Sequence, residues 1–590
     1  MSMHEGPSLK SGWLDRYDYA DTIWILRDLA LLHAKKAGPH GPTLEFLIRS
    51  SDWTGLLDFQ FEYLPGVDVE HLAHARQAVA LFEKLEPLEL EGPSKTLAAF
   101  WKFAQTEVTC QAVNERFCRY SAGTPMGYPW DIILMTARKK IQQILRNAPT
   151  LDQMKFGFGP GATTNVKKKD ACSRVKLGVQ PACSTKLLPL LPRFLGEMPL
   201  YCSHHASSET DDSVTINVEV HNGRLQFVPK DARKYRAIVV EPVLNSLLQQ
   251  GIGKTIRRRL KRVGVDLNQQ DRNRYLAWLG SKTNHLATVD FSSASDTIST
   301  QVVAFLLPES WWVLMDLART DTVDYNGLSI KLEKFSTMGN SFTFELESLI
   351  FYSLAWSCLR HLWLPTTELS IYGDDLIIPS EAYSLVEAVF SYCGFTVNSA
   401  KSFVRGPFRE SCGADFYLGT DIRPYYQKSY VTPESLFSYH NHCMRVGWFD
   451  QAAYIRGKWI HPALAIFGPD GYGDGHLIGD WVPTKKRVRL DDGKKYLLSS
   501  LGWEGSFFDT YRHRSVVRKT PHSGDSLLPT FSIYVRDPRP VQQLLVEDSF
   551  SNTTRSYQTM WCDPRYLTVP GSEGYEKISV YTLHRGIFIP

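Results

Sequence analysis

An α+β fold with several domains is predicted by three features of the 590-residue sequence. The first 150 residues carry helical apolar spacing, residues 286 to about 425 alternate short apolar runs with helix-compatible stretches, and a tight apolar hairpin surrounds Gly373-Asp374-Asp375. At roughly 100–200 residues per domain, the length allows about three to six domains or subdomains. Apolar residues make up 43% and charged residues 22%, which excludes disorder as the main state.

The elements follow in order. Asp21 can cap a helix through Ile23, Trp24, Leu26, Leu29 and Leu32 that stops at Gly38-Pro39. A second helix spans about His71 to Lys84 and ends before Pro87. Gly157, Gly159, Pro160 and Gly161 make a tight loop. Arg236 to Val240 reads as a strand, and residues 254–262 as a basic helix. Leu286 to Val289 is a short strand that ends at Asp290. The densest apolar stretch, Leu349 to Leu364, contains Ser353, Ser357, Arg360 and His361, so a buried helix is expected there, not a membrane span. Leu369 to Tyr372 and Leu376 to Ile378 are the two arms of the hairpin. Ser380 can cap a helix carrying Leu385, Val386, Val389 and Phe390, closed by Gly394. Thr432 with Pro433 opens another.

No apolar segment suited to a secretory signal follows the N-terminus, so none is expected. Ten cysteines without a C-x-x-C pair argue against a disulfide scaffold or a Cys₄ zinc site and fit a reducing cytoplasm. The net charge of +4 decides nothing, but its distribution does. Basic runs at Lys167 to Lys169, at Lys254 to Arg262 and at Lys485 to Arg489, with 12% aromatics available for stacking, suit a polyanionic partner.

The chemistry concentrates on carboxylates. Asp374 and Asp375 stand in an apolar hairpin, where two buried charges are costly without a compensating cation. Mg²⁺ is the natural partner, since it takes hard oxygen ligands and keeps positions for phosphate and water. Asp290, at the end of a strand, can face that turn. The three together suit two metals about 4 Å apart, the arrangement for in-line phosphoryl transfer. Asp296 follows six residues after Asp290. Between these points lies the stretch from Ser336 to Ser348. Gly339 in it permits close backbone approach, and Asn340 and Thr343 offer hydrogen bonds. Two weaker signals read as structural: Gly471 to Gly475 as a plain turn, and His440, His442 and Cys443 as too few ligands for a metal site.

The order D-x₅-D, S-x-x-G-x-x-x-T, YGDD and a downstream lysine resembles motifs A to D of viral RNA-directed RNA polymerases. The strings ATVDFSSASDTIS, STMGNSFTFELES, IYGDDLIIPS and FRESCGADFYLGTDIRP resemble the replicase catalytic subunit of positive-strand RNA bacteriophages of the levivirus group. So do FGPGATT, VPKDARKYRAIVVEP and GVDLNQQ. The likeness is dense from about 156 to 425. It implies a right-hand polymerase with palm, fingers and thumb: residues 1–285 mainly fingers with an N-terminal helical region, 276–408 the palm, and 409–590 motif E, thumb and C-terminal region. It implies Asp290, Asp374 and Asp375 as ligands of two Mg²⁺ ions, with Mn²⁺ able to substitute. Asp296 then senses the ribose, Gly339 and Asn340 support the template–nucleotide pair, and Lys401 is the general acid to pyrophosphate. Lys230, Arg233 and Arg236 hold the triphosphate. The resemblance further implies a single-stranded RNA template, nucleoside triphosphates, primer-independent initiation and the cytoplasm of an infected bacterial host. It also implies host elongation factors Tu and Ts and a ribosomal small-subunit protein as partners, and no membrane. Glu347 departs from the wider viral pattern, in which many polymerases carry Asn at that place.

Two other functions compete for the same residues. A reverse transcriptase shares the palm, but such enzymes carry an aromatic residue where this chain has Ser295 followed by Asp296. A non-catalytic RNA-binding protein would need basic and aromatic surface but no carboxylate trio.

Overall fold

The structure is a computed structural model that describes residues 7–171, 173–209, 214–481, 503–514, 517–519, 566–568 and 574–585. The basic run at 485–489 lies outside the described residues. Helices dominate the first 150 residues and then alternate with short, mostly antiparallel strands, an α+β arrangement.

The N-terminal region is helical, with Tyr19–Ala34, Gly41–Ser50, Trp53–Leu57, Val69–Glu83, Lys95–Ser121 and Trp130–Leu145. The first helix begins earlier than its apolar pattern suggests. Asp18, not Asp21, is its cap, accepting from the Asp21 backbone N–H at 2.8 Å, and Asp21 falls in the first turn. Apolar periodicity locates a helix body, but two acids three residues apart can both satisfy the end. Asp68 caps Val69–Glu83 through the His71 N–H at 2.9 Å. Thr432 and Ser435 form a reciprocal capping box on Pro433–Arg445, as its sequence predicts.

Two cores organise the chain. The larger lies beneath the helix Thr343–His361 and joins residues from Val113 to Phe395. The second packs residues 13–88 against residues 431–477. Tyr17 N donates to Val431 O at 3.0 Å, and Asp28 receives Tyr454, Lys458 and Trp459 at 2.9–3.0 Å. The N-terminal helices thus share their core with a segment about 400 residues later, a pairing no local pattern encodes.

Two sheets face the centre. One has four strands in the order Leu328–Lys331, Thr322–Tyr325, Gly223–Pro229, Tyr235–Val240. The other has three antiparallel strands in the order Ser370–Tyr372, Asp375–Pro379, Leu286–Val289. The helix Tyr383–Tyr392 follows the second sheet. Ser380 does not cap it: its hydroxyl donates to Val404 O at 3.1 Å, and a 3₁₀ turn at Ser380–Ala382 leads into the helix instead.

Candidate active site

Tyr372 pairs with Asp375 across the hairpin, leaving Gly373 and Asp374 as a two-residue turn. Gly373 takes φ +65°, which such a turn needs at its first position. A Cβ there would lie 2.6 Å from the Phe344 ring, so packing also demands glycine. The turn is held from two sides. Gly373 N donates to Ser348 Oγ at 3.1 Å, and Asn273 Nδ2 donates to Asp375 O at 3.0 Å while its Oδ1 accepts from Ser370 Oγ at 2.6 Å.

The register carries Asp290 to the same end of the sheet. Leu376 opposes Val289, so the next residue of each strand, Asp375 and Asp290, meet at its edge. Asp290 is no helix cap. The chain continues as a short strand, Phe291–Ser292, paired with Thr396–Val397. Asn398 then donates its backbone N–H to Asp290 O at 2.9 Å and its side-chain amide to Asp290 Oδ2 at 2.8 Å. Lys401 stands three residues further on, which explains how a lysine remote in sequence reaches the carboxylates. Its ammonium lies 4.0 Å from Glu410 Oε1. Glu410 holds it above the ordinary lysine range against partial desolvation, with Asp290, Glu83 and Asp415 adding.

The helix Thr343–His361 presents Phe344, Glu347 and Ser348, one turn apart, to the hairpin. Before it, Gly339 meets the strand Tyr235–Val240 so closely that a Cβ would sit 1.4 Å from Val239 O. Asn340 is buried, and both ends of its amide are engaged. Oδ1 accepts from Thr337 N at 2.7 Å, and Nδ2 donates to Glu241 Oε1 at 2.7 Å. Glu241 also accepts from Thr320 and Gln249, yet burial pushes its carboxyl up to about 7.

The three predicted cations of the 230–236 segment divide. Lys230 and Arg236 are close enough to lower the Asp374 carboxyl, whereas Arg233 is paired with Asp58 at 2.7 Å. Desolvation, then Arg236 and Lys234, depress Lys230. Asp231 accepts from the N–H groups of Arg233 and Lys234 at 2.9 Å and shapes this loop.

Burial and mutual repulsion dominate the carboxylates. Asp375 is pushed up to about 6 by burial and then by Asp374. Asp374 is raised by burial and Asp290. Glu347, fully enclosed, is raised well above the usual range by burial and then by Asp374, Asp296 and Asp290, and its Oε1 has no hydrogen-bond partner. Among the described residues no three His, Cys, Asp or Glu side chains are arranged to hold a metal ion as they stand, and Asn398 occupies one oxygen of Asp290. The donor set nevertheless fits a hard divalent cation: carboxylate oxygens crowded in a desolvated recess, with an orphaned acid oxygen behind them.

The matched family model, RNA replicase, beta-chain, spans residues 66–456. The chain belongs to the RNA replicase beta-chain family, and so to the RNA-directed RNA polymerases. It is 38% identical over 400 residues to the RNA-directed RNA polymerase subunit beta of Escherichia virus Qbeta, covering 65% of this chain and 66% of that one. It is 34% identical to the same subunit of Enterobacteria phage SP, over 70% of this chain and 72% of that one. The beta chain of Escherichia phage MS2 is 41% identical over 48% of this chain and 50% of its own. Solved structures resemble the chain more loosely, at 14% identity and a TM-score of 0.36 for the RNA-dependent RNA polymerase of a human picobirnavirus, covering 67% of this chain and 86% of that one.

In this polymerase the structure adds residues that motif reading passed over: Asn273, Asn398, Glu410, Glu241 and Lys334. Glu241 carried a usable signal, a carboxylate amid Val239, Val240 and Val243. Asn398 and Lys334 carried none, because their partners are distant in sequence. Two residues of the weaker signals have protein partners. Asp474 accepts from Arg445 at 2.8 Å, and His440 is bonded to Asn441. The described cysteines are free thiols. No helix among the described residues is long and apolar enough to cross a membrane.

Proposed function

We propose that this polymerase joins ribonucleotides to an RNA 3′ end by two-metal nucleotidyl transfer at Asp290, Asp374 and Asp375. The observation that carries the reading is the convergence of three acids at one sheet edge, with Asp374 raised by burial and by Asp290, and Asp375 by burial and by Asp374, beside Lys230 and Arg236. Mg²⁺, or Mn²⁺ in its place, would be held by the three aspartates and would supply Lewis-acid activation of the attacking hydroxyl and neutralisation of the departing pyrophosphate.

The protein's own groups do the rest. Lys230 and Arg236 draw the triphosphate towards the acids. Lys401, kept protonated by Glu410, can give its proton to the leaving pyrophosphate. Asp296 accepts a hydrogen bond from the ribose 2′-hydroxyl. Gly339 and Asn340 act as a fixed floor for the template–nucleotide pair, since both are locked to the neighbouring strand and Glu241. Arg233, paired with Asp58, is the least direct of the proposed triphosphate contacts. On this reading residues 276–408 are the palm, with most fingers before it and motif E and thumb after it. Primer-independent initiation on a single-stranded phage RNA belongs to the same proposal. So do the cytoplasm of an infected bacterium and the partnership with elongation factors Tu and Ts and a ribosomal small-subunit protein.

The test is nucleotide incorporation by the purified chain on an RNA template, with and without host extract, for wild type and Asp374→Asn. The variant should lose at least ~10³ in rate while retaining RNA binding, because it removes charge from the reacting centre and not from the fold. Near-wild-type incorporation by Asp374→Asn would refute the metal assignment.

A further inference from the structure

Lys334 is a lysine with no exposed surface, immediately before the segment that carries Gly339. Its ammonium makes one hydrogen bond and stands at ion-pair distance from two acids. Thr106 Oγ1 lies at 2.9 Å, Glu107 Oε1 at 3.1 Å and Asp296 Oδ1 at 3.5 Å, and the Phe103 ring closes the pocket at 4.0 Å. Thr106, Glu107 and Phe103 all belong to the long helix Lys95–Ser121. The backbone is fixed as well: Lys334 bridges to Ser299, Phe335 N donates to Ile298 O at 2.7 Å, and Glu333 N donates to Glu107 Oε2 at 2.6 Å. This ammonium cannot swing elsewhere.

Asp296 needs such a restraint. It sits on a single 3₁₀ turn, Ala294–Thr297, entered through Ser293 at φ +56°. A carboxylate on so short a turn could rotate freely. Its Oδ1 is taken by Lys334, while Oδ2 makes no hydrogen bond to any described residue. Asp296 is near enough to Glu347 to act on its carboxyl together with Asp290 and Asp374, which places it in the neighbourhood of the hairpin.

We propose that Lys334 is a positioning residue for ribose selection: clamped by Thr106 and Glu107, it fixes one oxygen of Asp296 and leaves the other aimed at the 2′-hydroxyl of the incoming nucleotide. This rests on the ribose reading of Asp296. A buried cation shared by two acids is a rigid element, since neither acid can leave without stranding charge. The restraint comes from a helix more than 180 residues earlier, which couples nucleotide choice to the seating of that helix.

The experiment measures single-nucleotide incorporation by the full chain with a ribonucleoside triphosphate and its deoxy partner, for wild type, Lys334→Met, Asp296→Ala and the double variant. Lys334→Met should lower the ribo-to-deoxy ratio of kcat/KM by about tenfold or more, through a rise in KM for the ribonucleotide with deoxynucleotide incorporation little changed. Because Lys334 acts through Asp296, the double variant should be no worse in this ratio than Asp296→Ala alone. Glu107→Gln, which leaves the lysine on Asp296, should keep most of the discrimination. If Lys334→Met does not fold, Lys334→Met with Glu107→Gln removes one buried charge of each sign and reads the same ratio. An unchanged ratio in the folded lysine variant, or additive losses in the double, overturns the proposal. If Asp296→Ala itself leaves the ratio unchanged, the ribose reading has failed, and the lysine's part in selection falls with it.

Discussion

Gly339→Ala is the sharpest test of how the fold holds the site. The added Cβ would sit 1.4 Å from Val239 O, and the next atom, Val239 C, is backbone too, so no side chain can rotate away. Ordinary contact begins near 3.4 Å, so the loop must retreat by about 2 Å from the strand Tyr235–Val240. The next two residues make the bonds that would be lost: Asn340 Nδ2 to Glu241 at 2.7 Å, and Ser341 N to Gln249 Oε1 at 3.0 Å. The first is buried and the second partly so, and stranding a buried group of this kind costs about 1–3 kcal/mol. A displacement near 1 Å at a reacting centre already costs about 10²-fold. We therefore expect kcat/KM for nucleotide addition to fall at least ~10²-fold, with a lowered melting midpoint. Thermal melts and single-nucleotide incorporation measure the two effects. Wild-type values for both would show that the loop is not clamped against the strand, and the floor assigned to Gly339 and Asn340 would go with it.

Three further outcomes follow from the electrostatics. The unfolded chain ionises Asp375 near pH 3.8 and the folded chain near 6, so this acid's contribution to stability is fully present below 3.8 and is lost as pH rises through 6, by up to about 3 kcal/mol. Mg²⁺ should offset that loss, so its stabilising shift in melting should be larger at pH 7.5 than at pH 5.5; equal shifts would argue against binding at this carboxylate. In the basic helix, Arg257 pairs with Glu345, Arg259 donates to Asn147 O and Lys261 pairs with Asp266, while Arg258 and Arg262 are exposed. Changing these last two to Gln should reduce the slope of log affinity for single-stranded RNA against log salt by roughly 1.4 if they lie on the RNA path, and an unchanged slope would return them to ordinary surface. Ca²⁺ in place of Mg²⁺ should support nucleotide binding better than turnover because it accepts looser geometry, and equal turnover would contradict a geometrically demanding site.

The motif strings and local periodicity settled the elements and the acids on them. The strand Leu286–Val289 is legible at its observed bounds, the hairpin arms to within about a residue, the helix at 69–83 nearly so, and the helix at 433–445 at its start. These depend on neighbours in sequence: alternation, a turn that needs glycine, a cap three residues from its N–H. Asp290, Asp374 and Asp375 could be named because each stands beside such a signal. Contacts between distant segments needed the tertiary structure. Which cations face the acids turned on the loop at Asp231 and on Asp58, which removes Arg233 from the centre. The partner of Lys401 is set by the pairing of Thr396–Val397 with Phe291–Ser292, and that of Lys334 by a helix far upstream. Residues 13–88 share a core with residues 431–477 because both present apolar faces that neither can bury alone. A one-dimensional pattern says that a face must be covered; only the folded chain decides what covers it.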